Sequence, residues 1–85
     1  MALVILPALL ATEAGGRKRF ELEVATVGDA LRALPIADLV LDERGELRRL
    51  VNVYVDGVDV RDREGLETPL AGEETLQLVG AVAGG

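Results

Sequence analysis

The chain has 85 residues, 49% apolar and 28% charged, the proportions of one small soluble domain. With no Cys and no His it excludes a disulfide framework, a zinc finger, a cysteine nucleophile and a histidine general base. Nine Lys and Arg against fifteen Asp and Glu give a formal charge of −6, which disfavours nucleic acid as main partner and fits one with a basic face.

The apolar start, Met1–Thr12, has no Lys or Arg before its apolar run and is interrupted by Pro7. It reads as a buried first strand rather than an export signal, and it is too short for a membrane span. The strand proper is expected at Leu3–Leu6, ended by Pro7, which lacks the donor a ladder needs. A loop through Thr12–Gly16 follows. Arg17–Val24 alternates cleanly, with Phe20, Leu22 and Val24 on one face and Arg19, Glu21 and Glu23 on the other. The two segments predict a hairpin with a long connection.

At Thr26 the period changes. Thr26-Val27-Gly28-Asp29 matches a capping box, in which the Thr26 hydroxyl accepts from the Asp29 amide and the Asp29 carboxylate reaches back. Val27, Ala30, Leu31 and Leu34 then form one helical stripe, stopped or kinked at Pro35. Ile36–Leu41 fits a further short helical piece, and Asp42–Leu47 an exposed loop pivoting on Gly45. Leu50–Val55 is the expected central strand, and Asp56-Gly57 a hairpin turn into a short strand, Val58–Val60. Arg61–Gly65 reads as charged surface loop, Pro69–Gly72 as a turn, and Thr75–Val79 as the last strand with Leu76 and Leu78 inward. The sum is an α+β domain over residues 1–79, a mixed sheet of four to five strands against one main helix, followed by a flexible tail over 80–85.

Most polar residues carry no chemistry. Glu73-Glu74, Asp62 with Glu64, and Arg17-Lys18-Arg19 are charge runs beside turns, without a carboxylate-pair or metal-ligand spacing. Gly15-Gly16 lies in no phosphate-loop pattern. Tyr54 serves either the edge of the core or a partner contact. No residue stands out as catalytic, and none as a metal ligand.

The terminus differs. On a composition of 10 Gly in 85 residues, a given adjacent pair is Gly-Gly with a probability of roughly one in seventy, and here the pair is Gly84-Gly85. Two glycines have no side chain to collide with a narrow channel and reach backbone angles closed to other residues. Ala81–Gly85 extended spans at most about 17 Å, enough to carry a carboxylate into another protein's active site.

The whole chain resembles the small ubiquitin-like sulfur carriers of the ThiS and MoaD type, and most closely the CysO-like branch linked to cysteine synthesis. The residues that carry the resemblance are Thr26-Val27-Gly28-Asp29-Ala30-Leu31, Arg49–Val55, Asp56-Gly57-Val58-Asp59-Val60-Arg61 and the ending Ala81-Val82-Ala83-Gly84-Gly85. Two positions depart from the family pattern. Gly80 stands where many members have Pro, which loosens the root of the tail, and Gly72-Glu73-Glu74 where a Gly-Asp turn is commoner.

The resemblance implies the β-grasp (ubiquitin-like) fold and a carrier rather than an enzyme. It also implies that the Gly85 carboxylate is adenylated with ATP by a separate adenylyltransferase of the ubiquitin-activating kind. The adenylate becomes a thiocarboxylate that donates sulfur to a biosynthetic enzyme such as a cysteine synthase. Gly84, Ala83, Val82 and Ala81 would deliver the terminus, while Val79, Gly80, Glu73, Glu74 and Tyr54 would meet the partner. No cofactor is resident, no membrane or nucleic acid is involved, and the setting is cytoplasmic. Carriers serving molybdopterin, thiazole or another metabolite, and a protein modifier conjugated through Gly85, share this tail chemistry.

Overall fold

The structure, a computed structural model, describes residues 1–80. Five strands, Ala2–Ile5 (β1), Arg19–Leu22 (β2), Val51–Val55 (β3), Val58–Asp59 (β4) and Thr75–Gly80 (β5), form one mixed sheet in the order β2-β1-β5-β3-β4. β1 pairs antiparallel with β2, from Ala2↔Leu22 to Ile5↔Arg19, which is the expected hairpin. β1 runs parallel to β5, and β5 antiparallel to β3. The middle of the sheet is therefore β5, not β3 as the valine alternation implied.

Alternation decides the layers. Ala2 and Val4, Val51, Val53 and Val55, and Leu76 and Leu78 are buried on one face, beneath three short helices: Ala8–Glu13 (α1), Val27–Arg32 (α2) and Ala37–Val40 (α3). Ala30, Leu31, Leu34, Ile36 and Val40 supply the helical side of that core. This is the β-grasp arrangement, a mixed sheet packed on one side by helices. Among the described residues no helix is long and apolar enough to cross a membrane.

α2 begins where the capping box placed it. The Asp29 N–H donates to Thr26 Oγ1 at 3.1 Å. The reciprocal bond is absent, because the Asp29 carboxylate turns to the Arg32 guanidinium at 2.8 Å, a partner of opposite charge one turn along the same helix. That pairing comes first among the causes that hold the Asp29 carboxyl below its ordinary range.

Several expectations need correction. α1 occupies part of the connection read as irregular. It ends in a Schellman turn, with the Gly16 N–H donating to Ala11 O at 2.7 Å, the Gly15 N–H to Thr12 O at 3.2 Å, and Gly15 at φ +75°. β2 is shorter than Arg17–Val24, and Leu22 and Val24 are only half-buried, since β2 is an edge strand with the core on one side. Val60 leaves the strand expected to contain it and is fully buried in a 3-10 turn, Val60–Asp62. A second such turn, Gly65–Glu67, replaces the open end of the charged loop. β5 runs through Gly80, whose ladder partner is Val51, so Gly80 lies in the sheet.

Candidate functional site

Among the described residues no group of three or more Asp or Glu is placed to hold a metal ion. What the fold presents is the end of a strand. β5 lies between β1 and β3 and, after Gly80, the chain continues to Gly84-Gly85. Ala81, Val82, Ala83, Gly84 and Gly85, the expected delivery and attachment residues, lie outside the described residues.

The sheet face turned away from the helices surrounds that end. Period two puts Thr75, Gln77 and Val79 of β5 on this face, with Asn52 opposite Val79 and Tyr54 opposite Gln77. Val79 is 39% exposed and Tyr54 half-buried. Leu3 and Ile5 of β1, also half-buried, continue the apolar surface beyond Thr75 and Gln77. The fold thus gathers Val79, Gly80 and Tyr54 near the tail root.

Glu73 and Glu74 sit elsewhere. They precede Thr75, at the opposite end of β5, roughly 20 Å from Gly80 at strand rise. The Glu74 carboxylate accepts from the Ala71 N–H at 2.9 Å and the Gly72 N–H at 3.0 Å. Those backbone donors hold its carboxyl below the ordinary glutamate range. Glu74 thereby organises the turn in which the family pattern more often has Gly-Asp, while Glu73 remains exposed.

Beside Val51, the ladder partner of Gly80, the charged residues are of both signs, Arg44, Arg48 and Arg49 with Asp42 and Glu46. Arg48, Arg49, Leu50 and Val51 line a shallow groove of about 840 Å³ together with Leu39 and Arg44. Sequence reasoning assigned no role to Arg48 and read Arg61 as loop. Arg48 Nε and Nη2 donate to Asp38 O at 3.2 and 3.1 Å. Arg61 donates to Asn52 Oδ1, Arg48 O and Val51 O at 2.8, 3.1 and 2.9 Å. The available signal was position: Arg61 closes the Asp56–Arg61 segment that resembles the family.

Comparison with known proteins agrees with this geometry. Residues 4–85 match the ThiS family. The curated sulfur carrier protein CysO of Mycobacterium tuberculosis is 34% identical, over 96% of this chain and 96% of its own. The crystal structure of M. tuberculosis CysO, described as an antigen, superposes with a TM-score of 0.86 at 30% identity, covering 96% of this chain and 100% of that one. A chain of the Amycolatopsis orientalis BexX/CysO complex gives 0.84 at 36% identity, covering 100% of both chains. The small archaeal modifier protein 1 of Haloferax volcanii gives 0.73 at 34% identity, covering 95% and 97%. A match that spans both the sheet and the Gly-Gly ending leaves one conclusion: the chain belongs to the ThiS family, the ubiquitin-like sulfur carriers of the ThiS and MoaD type, and is a carrier rather than an enzyme.

Proposed function

We propose that the Gly85 carboxylate is the group on which this carrier holds sulfur, and that the sulfur goes to cysteine. The carboxylate attacks the α-phosphorus of ATP in a partner adenylyltransferase, and pyrophosphate leaves. Sulfide then attacks the acyl carbon and expels AMP, which leaves a thiocarboxylate. A free carboxylate is a poor electrophile, and the mixed anhydride supplies its leaving group. The thiocarboxylate sulfur, far more nucleophilic than a carboxylate oxygen, takes the place of the leaving group on an activated serine derivative held by a sulfhydrylase-like enzyme. Hydrolysis of the acyl link then frees the cysteine and returns Gly85 as a carboxylate. On this reading the chemistry is set in the cytoplasm, where ATP is supplied.

The observation that carries the reading is the Gly84-Gly85 ending inside a family match that runs to Gly85. The name of the mycobacterial relatives supports the product assignment. The likeness to an archaeal modifier protein favours one second reading, conjugation of Gly85 to a lysine amine after the same adenylation.

Intact-protein mass spectrometry separates the two. With ATP, the activating enzyme and sulfide, the carrier should gain about 16 Da, the exchange of a terminal OH for SH. A chain lacking Gly84-Gly85 should gain nothing. A lysine-linked conjugate without that gain establishes the modifier reading, and no gain and no conjugate overturns both.

A further inference from the structure

Three acceptors converge on one side chain beside the tail root. Arg61 leaves the 3-10 turn after β4, and its N–H donates to Asp59 Oδ1 at 2.8 Å, which caps that turn. Its guanidinium crosses back over the start of β3. Nη1 donates to Asn52 Oδ1 at 2.8 Å, and Nη2 to Arg48 O at 3.1 Å and Val51 O at 2.9 Å. A planar guanidinium with five donors in a fixed fork suits this task, whereas an ammonium on a flexible stem cannot span the three acceptors.

The acceptors are not scattered. Val51 is the ladder partner of Gly80, and Asn52 that of Val79. Arg48 lies where the chain enters β3, and its own guanidinium donates to Asp38 O at the start of α3. Residues 48–52 are thus fixed at one end to the helical layer and at the other to the β4 turn. They are the strip of backbone alongside which β5 ends. Leu50, 56% exposed, stands on that strip.

We propose that Arg61 is a positioning residue for the carrier reaction: it clamps residues 48–52, the strip on which β5 ends, and so fixes the place of Gly80, the root from which the tail is presented. The inference rests on the reading that Gly85 is loaded by a partner enzyme. An ordered root means that the partner does not have to order it on binding, and the gain falls in the affinity of the carrier. Once the tail is seated its carboxylate is the same whatever Arg61 does, so turnover is untouched.

The test compares the full-length chain with Arg61→Ala and Arg61→Lys in thiocarboxylate formation with the activating enzyme, ATP and sulfide, well below the melting temperature of each variant. The expected result is a carrier KM raised about fivefold or more in Arg61→Ala, with kcat within about twofold, as loss of pre-organisation predicts. Arg61→Lys, which keeps the charge, should not restore KM. Hydrogen exchange read by peptide should quicken over 48–55 and 75–80 while residues 27–34 of the helical layer keep their protection.

An unchanged KM in folded Arg61→Ala overturns the proposal, as does full rescue by lysine. Exchange that quickens everywhere also overturns it, since it marks a loss of global stability alone. If Arg61→Ala does not fold, Asn52→Ala removes one acceptor and is read by the same KM split. If the parent gains no sulfur at all, the carrier reading fails instead, and the exchange comparison still decides whether the clamp exists.

Discussion

Thr68 is the one polar residue among the described residues whose side chain is fully buried in the core. Its hydroxyl donates to Gly65 O at 2.8 Å and accepts the Glu64 N–H at 3.1 Å, which closes the second 3-10 turn. Its carbonyl accepts the Val27 N–H at 3.0 Å, a free donor at the start of α2. One residue therefore joins a loop to the helix that supplies most of the upper core. Thr68→Val keeps the shape and removes the hydroxyl, so the Glu64 N–H loses its acceptor. The expected loss is about 1–3 kcal/mol, read from the denaturant midpoint at unchanged slope. A midpoint equal to the parent's would show that water reaches the turn.

At the scale of elements, turns hold this sheet together through carboxylates. The Asp42 side chain accepts from the Glu46 N–H at 3.0 Å and the Arg44 N–H at 2.9 Å, closing the loop at Gly45, and the Glu46 donor comes first among the causes that lower its pKa. Glu74 does the same for Ala71 and Gly72. Asp56, at φ +49° before Gly57 at φ +89°, makes the tight turn into β4 and accepts the Thr75 N–H at 3.0 Å, joining that turn to the start of β5. Asp42 and Glu74 share one linkage sign. A carboxyl lowered in the folded state binds fewer protons there than in the unfolded chain, so its stabilisation is complete above the ordinary carboxylate range. It is lost as pH falls through the lowered value. The stability difference between the parent and Glu74→Gln should therefore be constant at neutral pH and shrink on acidification below about pH 4. Melts of both proteins from neutral to strongly acid pH check this; a difference that grows with acid would contradict it.

For the molecule as a whole, the Glu73-Glu74 pair and Gly80 lie at opposite ends of β5. The chain is strongly acidic, and the groove beside Val51 mixes Arg44, Arg48 and Arg49 with Asp42 and Glu46. In the proposed complex, contact with the activating enzyme centres on the uncovered sheet face around Val79. Val79→Asp leaves the core untouched, because the side chain points away from it, and should weaken association by about tenfold or more, as a charge in a desolvated contact does. Glu73→Lys should leave the dissociation rate alone and alter the association rate in a salt-dependent way. Stopped-flow association with the activating enzyme at low and high salt reads both. Full-strength binding by Val79→Asp would move the contact elsewhere.

How much was legible in the sequence follows from the range of each interaction. Alternation along Leu50–Val55 and Thr75–Val79, the cap at Thr26 and the Asp56-Gly57 turn are effects of neighbouring residues, and each lies where the pattern put it to within a residue or so. α1 was also written locally, with Pro7 before Ala8 and Gly15 at φ +75° after Ala14, but its six residues are too few for a helical stripe to show. The Gly84-Gly85 ending is legible because the pattern is two adjacent residues and needs no fold to be seen. The parallel pairing of β1 with β5, the burial of Val60 and Thr68, and the reach of Arg61 to Val51 O join residues far apart along the chain. No periodicity encodes them. Which strand lies in the middle, and which backbone a guanidinium meets, depends on where the apolar faces close upon one another. Only the packed core decided that.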